Sequence, residues 1–460
     1  MERMSTLDAG FFFVEHRNVP RHLGSLVIFE GPAPAYADLT RLYAAKLPLV
    51  PRYHQVVRTS PLQVFRPAWS DDEHFDLAYH LRRAVLPRPG SMRQLRRLAG
   101  EIFAGPLDRR RPLWEAWFLE GIERGRWAIL SKVHHCVVDG IGGTDLMTEV
   151  FDLTPDAPRA EPAGWQPAPG PSRMLAAASG VRDAASWPWR QLAGAPGFLR
   201  QRLATPSDLL AFGRGLGGGA QRLAAPSAST LNGPIGPGRR WEWASASLSG
   251  VQQIRMALGG TVNDVLLAAV TNGFRELLSE RGELAGGVVV RSLVPISVRD
   301  SGERGVITNR VSAVLVNLPV AVPSPLQRLA VVRAQMDEIK RTHQAAGAEL
   351  LLELLGFAAP TVLALGTHAA FQIPQPLVQT VTTNVPGPQF PLYVLGRQMV
   401  AAYPYVPIGD NVRISVAIFS YLGRFTFGIT ADESVKTDLP VLARGIRHGL
   451  SELQACAAPA

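Results

Sequence analysis

Cysteine is almost absent from this chain: Cys136 and Cys456 are the only two among 460 residues. A disulfide scaffold, or a zinc site built on cysteine pairs, is thereby excluded. Lysine is nearly as scarce, with Lys46, Lys132, Lys340 and Lys436 among 47 basic residues. The opening MERMSTLDAG lacks the basic-then-apolar layout of a signal peptide, so a cytoplasmic chain is expected. Long apolar runs are missing too. The best stretch, Leu354 to Phe371, carries no formal charge but is broken by Gly356, Pro360, Gly366 and His368. A buried or membrane-facing helix suits it better than a span. No GxSxG elbow occurs, which removes the serine-esterase reading, and no internal repeat suggests a solenoid.

What is present is enough apolar matter to build a large core. Hydrophobic residues make up 47% and charged residues 18%, a mix that excludes a disordered chain and suits two domains of roughly 200 residues. The net charge of +9 is concentrated: arginines cluster between Arg82 and Arg111 and again between Gly170 and Arg240, leaving the rest acidic on balance. With so little lysine and no recognisable module, nucleic-acid binding is not expected. Two local basic segments fit an anionic ligand or an anionic membrane surface, and equally well solvated helix faces and a linker.

Composition divides the chain in three: residues 1–155, an Ala/Pro/Gly/Arg-rich linker over 156–240, and residues 241–460. The linker holds Trp187, Trp189, Phe198, Leu199 and Phe212 interleaved with Arg190, Arg200 and Arg202. That pattern fits an interfacial membrane helix or a helix packed on its parent domain.

The chemistry concentrates in residues 126–140, RWAILSKVHHCVVDG. Period two places Ile129, Ser131, Val133 and His135 on one face of a strand, with Leu130, Lys132 and His134 on the other. Adjacent His134 and His135 therefore do not share a cavity; one should be catalytic and the other structural. The strand breaks at Asp139-Gly140, where glycine permits a tight turn, and Thr144 can cap a helix from Asp145 to Leu153. A neutral imidazole can take a proton from an alcohol near pH 7.

The motif HHCVVDG resembles that of the CoA-dependent acyltransferase superfamily. Further segments narrow the resemblance to the bacterial wax ester synthase/diacylglycerol acyltransferase family: Ser5-Thr6-Leu7-Asp8-Ala9, Pro112-Leu113-Trp114, Thr261-Val262-Asn263-Asp264, Pro295-Ile296-Ser297-Val298-Arg299, Asn309-Arg310-Val311-Ser312 and Thr383-Asn384-Val385-Pro386-Gly387-Pro388. Ile414 to Gly428 resembles the terminal hairpin, although the DFGWG of the wider superfamily is reduced here to Thr426-Phe427-Gly428.

The resemblance implies an α/β fold of two chloramphenicol-acetyltransferase-like domains, each a mixed sheet with flanking helices, around an interdomain tunnel. It implies transfer of a long-chain acyl group from acyl-CoA to diacylglycerol, with a fatty alcohol as the alternative acceptor. No metal or cofactor is implied, since acyl-CoA is a substrate. His135 would be the general base, His134 and Asp139 structural, and Gly140 part of the motif turn. Arg299 is the candidate partner for Asp139. Thr382, Thr383 and Asn384 are candidates for the oxyanion or substrate, unless the following prolines make only an ordinary turn. Asn263 and Asp264 read more simply as a helix cap. Pro112, Leu113 and Trp114 could shape an acyl channel, though core packing serves equally. The expected location is the inner face of the cell membrane or a lipid inclusion, held peripherally. Carrier-protein condensation and a catalytically silent lipid-binding protein are the rival readings.

Overall fold

The computed structural model describes residues 2–16, 18–59, 66–137, 149–158, 161, 165–168, 227–297, 311–341, 377–409, 411–435 and 438–458. Asp139, Gly140, Arg299, the Leu354–Phe371 stretch and most of the 156–240 segment lie outside them.

Two six-stranded mixed sheets carry the molecule. The first is built on β1 (His22–Phe29), β4 (Leu81–Val85), β5 (Trp114–Ile122) and β6 (Arg126–His134). The second contains β7 (Arg239–Ser247), β8 (Val290–Ser297), β9 (Val311–Leu318), β10 (Thr380–Val385), β13 (Ile414–Tyr421) and β14 (Arg424–Asp432). In the second sheet β10 runs parallel to both β8 and β13, while β13 and β14 form the terminal hairpin. A small ribbon pairs β2 (Gln55–Arg58) with β3 (Ala68–Asp71).

The sheets do not follow the linear division of the chain. β11 (Tyr393–Val394) and β12 (Arg397–Tyr405), from the C-terminal third, complete the first sheet in the order β11-β12-β1-β6-β5-β4. β12 pairs antiparallel with β1, Gly24 opposite Tyr405. The chain thus returns to lock its two halves together.

Local sequence explains the helices that matter. α1 (Thr6–Val14) begins at Ser5, whose Oγ accepts the Asp8 N–H at 3.1 Å. Among the helices that follow, α2 (Tyr36–Lys46), α3 (Leu77–His80) and α4 (Met92–Ala104), the last opens with a reciprocal Ser91/Gln94 capping box and buries Leu95, Ala99, Ile102 and Phe103. α5 (Leu248–Leu258) precedes α6 (Val262–Glu280), which packs against the last helix, α8 (Leu439–Ala457), in the core of the second sheet. Between them in the chain lies α7 (Pro325–Arg341).

Where the sheets meet, Thr426 Oγ1 donates to the Ala402 carbonyl at 2.6 Å and Trp243 stacks on Tyr403 at 4.3 Å. Gly428 is required there: a Cβ on it would lie 1.7 Å from the Pro404 carbonyl oxygen. The reduced Thr426-Phe427-Gly428 element therefore joins the second sheet to β12. The helix expected over Asp145–Leu153 does not reach its end. Asp152 exchanges both backbone hydrogen bonds with Tyr393, at 2.8 Å each, so extended pairing to β11 overrides helical propensity. Among the described residues no single helix is long and apolar enough to cross a membrane.

Candidate functional site

β6 alternates as its sequence predicts: Ile129 and Val133 enter one apolar cluster, Ala128 and Leu130 another. The strand ends well before the expected break at Asp139-Gly140. His134 is the last strand residue, opposite His22 on β1, and His135 sits in a turn. The turn is closed by the Val137 N–H, which donates back to the His134 carbonyl at 2.9 Å. The His134 N–H donates to the Leu113 carbonyl at 2.9 Å, while the His135 N–H donates to the Arg21 carbonyl at 2.8 Å. The two imidazoles still part company. Consecutive phenylalanines of α1 take one each: Phe11 stacks on His135 at 3.9 Å and 17°, and Phe12 meets His134 edge-on at 6.0 Å.

His134 is wholly buried. Its Nδ1 accepts the Cys136 N–H at 3.1 Å and lies 2.9 Å from the Cys136 Sγ. A ring nitrogen that accepts an amide hydrogen carries no proton, so the His134 proton resides on Nε2. Nε2 faces Glu15 Oε2 at 3.6 Å. Burial pushes the Cys136 thiol well above its usual range, which keeps it a protonated thiol.

Glu15, at the C-terminal end of α1, gathers this neighbourhood. One oxygen accepts the Arg21 N–H at 3.1 Å, and the other faces His134 Nε2 and, at 3.9 Å, Arg109 Nε. Burial acts to raise its carboxyl. The His134 Nε2–H that faces it, the Arg21 amide and Arg109 outweigh that and hold it below the ordinary carboxylate value. Sequence reading missed Glu15. Only its spacing seven residues after Asp8, at the end of a phenylalanine run, marks it.

His135 is half-buried. Its Nδ1 is sealed and has no hydrogen-bond partner among the described residues. Burial, then the neighbouring His134 and Arg21, lower its pKa to about 4. The ring is therefore neutral throughout the physiological range, as a proton acceptor must be. Phe11 covers one face of this ring.

The remaining candidates fall in other places. Pro112, Leu113 and Trp114 are buried. Trp114 donates from Nε1 to the Tyr53 carbonyl at 2.7 Å and stacks on Tyr53 and His80 at 4.4 and 4.7 Å. Core packing accounts for it, and the Leu113 carbonyl holds the His134 amide. Thr261 and Asp264 form a reciprocal capping box on α6, at 3.2 and 2.7 Å. Asn263 and Asn384 come together, the Asn384 Nδ2 donating to Asn263 Oδ1 at 3.2 Å. Thr382 is buried and accepts the Ser292 hydroxyl at 2.8 Å. Thr383 and Asn384 are half-buried on β10. Among the described residues no hydrogen bond or ring contact joins Thr383 or Asn384 to His135. At the start of the linker, Trp165 packs over His54 at 4.2 Å, so the chain there lies against the first domain.

Comparison with known proteins gives two consecutive matches. The wax ester synthase/diacylglycerol acyltransferase catalytic domain matches residues 4–266, and the C-terminal domain of the same family matches residues 307–454. A probable diacylglycerol O-acyltransferase of Mycobacterium tuberculosis is 36% identical over 464 residues, covering 99% of this chain and 96% of the relative. A second probable diacylglycerol O-acyltransferase of that species is 31% identical over 464 residues, covering 99% and 98%. In three dimensions, a wax ester synthase/diacylglycerol acyltransferase from Marinobacter aquaeolei VT8 superposes with a TM-score of 0.65 at 24% identity, covering 99% of both chains. The first condensation domain of the CDA synthetase superposes at 0.62 with 15% identity, over 100% of this chain and 97% of the other.

Proposed function

This chain belongs to the wax ester synthase/diacylglycerol acyltransferase family, and on that premise we propose that it acylates diacylglycerol from a long-chain acyl-CoA with His135 as general base. That it is an acyltransferase enzyme follows from the matched catalytic domain and the named relatives. The role of His135 is the step beyond them. The observation that carries it is the contrast within the histidine pair: His134 is wholly buried, its Nδ1 taken by the Cys136 N–H and its Nε2 turned toward Glu15 at 3.6 Å, while His135 keeps a neutral, half-buried ring against Phe11.

In this reading the acceptor hydroxyl donates to the free imidazole nitrogen as its oxygen attacks the thioester carbonyl. The imidazolium that forms returns the proton to the departing CoA thiolate, so proton and leaving group balance without a covalent acyl-enzyme. No metal or cofactor is needed for these steps. Charge on the intermediate needs a donor, and Thr383 and Asn384 remain our candidates. Asn384 Nδ2 carries a second N–H beside the one it gives to Asn263. Asp139 and Gly140 would shape the turn after the base, with Arg299 as partner to Asp139.

Diacylglycerol resides in a bilayer, so the enzyme is proposed to work peripherally at the inner membrane face or a lipid inclusion. The aromatic and arginine-bearing segment within 156–240 is the proposed contact.

The test is thiol release from palmitoyl-CoA with dipalmitin or hexadecanol, and chromatography of the ester, for wild type and His135→Ala. Triacylglycerol made by wild type and lost in the variant supports the proposal. Wax ester alone would reassign the acceptor to a fatty alcohol. Equal activity in both proteins would remove His135 as the base, and no ester from either would favour a silent lipid-binding protein.

A further inference from the structure

We infer that the buried pair Arg239–Asp432 of the second sheet is a positioning device for His135, acting through the loop that joins α1 to β1. The inference rests on His135 being the base. Arg239 and Asp432 are register partners at the end of the β7–β14 ladder, their side chains 1% and 3% exposed and 3.8 Å apart. A buried charge pair at the end of a strand pair needs a purpose, because desolvation offsets most of its attraction.

The hydrogen bonds of Arg239 show where it reaches. Its Nη1 donates to the carbonyls of Gly236 and Gly238, at 2.8 and 2.9 Å, and Asp432 accepts the Gly236 N–H at 2.8 Å. Its Nη2 turns the other way and donates to the carbonyl of Asn18, which belongs to the first domain. Asn18 answers with a side-chain hydrogen bond to the Ile235 carbonyl at 3.4 Å, and Val19 packs with Ile235 and Ile408 beside it.

Three residues further on, the Arg21 carbonyl accepts the His135 N–H, and the Arg21 N–H is held by Glu15. The loop is thus fixed at three points. Glu15 holds its exit into β1, Arg239 grips its middle from the other domain, and Arg21 passes the constraint to the backbone of His135. Only a planar fork can satisfy the Gly236, Gly238 and Asn18 carbonyls at once; a lysine ammonium keeps the charge beside Asp432 but not the reach.

The experiment compares Arg239→Lys with Arg328→Lys, each in the full-length enzyme. Arg328 is the internal control. It is also buried and also forks, from the Val322 and Pro323 carbonyls to Glu452, but it holds no part of the His135 loop. Amide exchange followed by mass spectrometry should show faster exchange over 16–24 and 131–137 in Arg239→Lys, and no change there in Arg328→Lys. With palmitoyl-CoA and dipalmitin, kcat should fall on the order of tenfold in Arg239→Lys with both KM values kept, since the base is displaced and the substrate surfaces are not. Arg328→Lys should keep kcat even where its melting temperature falls as far. Should Arg239→Lys not fold, Asp432→Asn carries the same two readouts. Unchanged exchange over 131–137 in a folded Arg239 or Asp432 variant would overturn the inference. Faster exchange with unchanged kcat would leave the clamp in place and count against His135 as the base.

Discussion

Glu15 places one carboxylate oxygen 3.6 Å from His134 Nε2 and the other 3.1 Å from the Arg21 amide, whose carbonyl in turn receives the His135 N–H. One buried side chain thus acts on both members of the histidine pair, on the first through its ring and on the second through a peptide. Glu15→Gln keeps the shape and removes the charge. The expected outcome is a kcat lower by on the order of tenfold with KM for palmitoyl-CoA little changed. Stability should respond as well. The carboxyl is held below its ordinary value in the folded protein, so its contribution is complete above the unfolded value and is lost as pH falls through the folded one. Acid titration of the melting temperature should therefore be flatter in Glu15→Gln over the carboxylate range. A variant with wild-type kcat and wild-type acid sensitivity would show that the carboxylate holds neither histidine.

The stacked Phe11 ring makes a pH prediction for His135. Burial, His134 and Arg21 bring the imidazole down to about 4. The acid limb of kcat/KM should lie near that value rather than near the usual 6.5 of histidine. Stability linkage has the same sign: the unfolded chain binds the proton more readily, so the contribution of this group is complete above about 6.5 and declines as pH falls toward about 4. Phe11→Ala admits water to the ring face, and its acid limb should move up toward 6.5. Identical limbs in the two proteins would mean that Phe11 does not seal the ring.

Much of this was legible in the residues. Alternating burial along β6 was readable from RWAILSKVH, and the α6 cap from Thr261 and Asp264, because both depend on local periodicity and local hydrogen bonding. His135 was marked by its motif. The strand nonetheless ends at His134, where the Val137 N–H turns back onto the His134 carbonyl without a glycine or proline to mark the turn. The return of β12 to the first sheet was equally hidden, since an edge pairing with Gly24 to Phe29 leaves no trace in the spacing of Arg397–Tyr405. Arg21 and Arg239 escaped because each acts on the site through backbone groups, which have no sequence signature, and Glu15 because the His134 ring it faces is distant in sequence.

Gly428 tests how tightly the sheets are joined. Gly428→Ala puts a methyl 1.7 Å from where the Pro404 oxygen now stands, and that neighbour is backbone. The strands must separate, taking the Thr426–Ala402 hydrogen bond with them. A loss of about 3 kcal/mol or more is expected, at the upper end for point substitutions. Gly286→Ala is the control, since nothing lies within 4 Å of its Cβ position. Chemical denaturation of both proteins decides it. Equal midpoints would show that β12 and β14 can part at little cost.

Trp114 separates a packing role from a channel role. It is 1% exposed and stacked between Tyr53 and His80, with its indole N–H on the Tyr53 carbonyl. Such a side chain has no surface left to offer an acyl chain. Trp114→Phe should cost about 1–3 kcal/mol, mostly from the stranded carbonyl and the lost ring volume. Trp114→Ala should cost about 3–5 kcal/mol. In both, the ranking of acyl-CoA chain lengths by kcat/KM should stay as in wild type, because a residue behind the site alters how many molecules are folded rather than what they select. The Leu113 carbonyl that holds the His134 amide lies next to it, so a modest fall in kcat across every chain length is expected in the alanine variant. A changed chain-length ranking at an unchanged melting temperature would instead place Trp114 on the wall of the acyl channel.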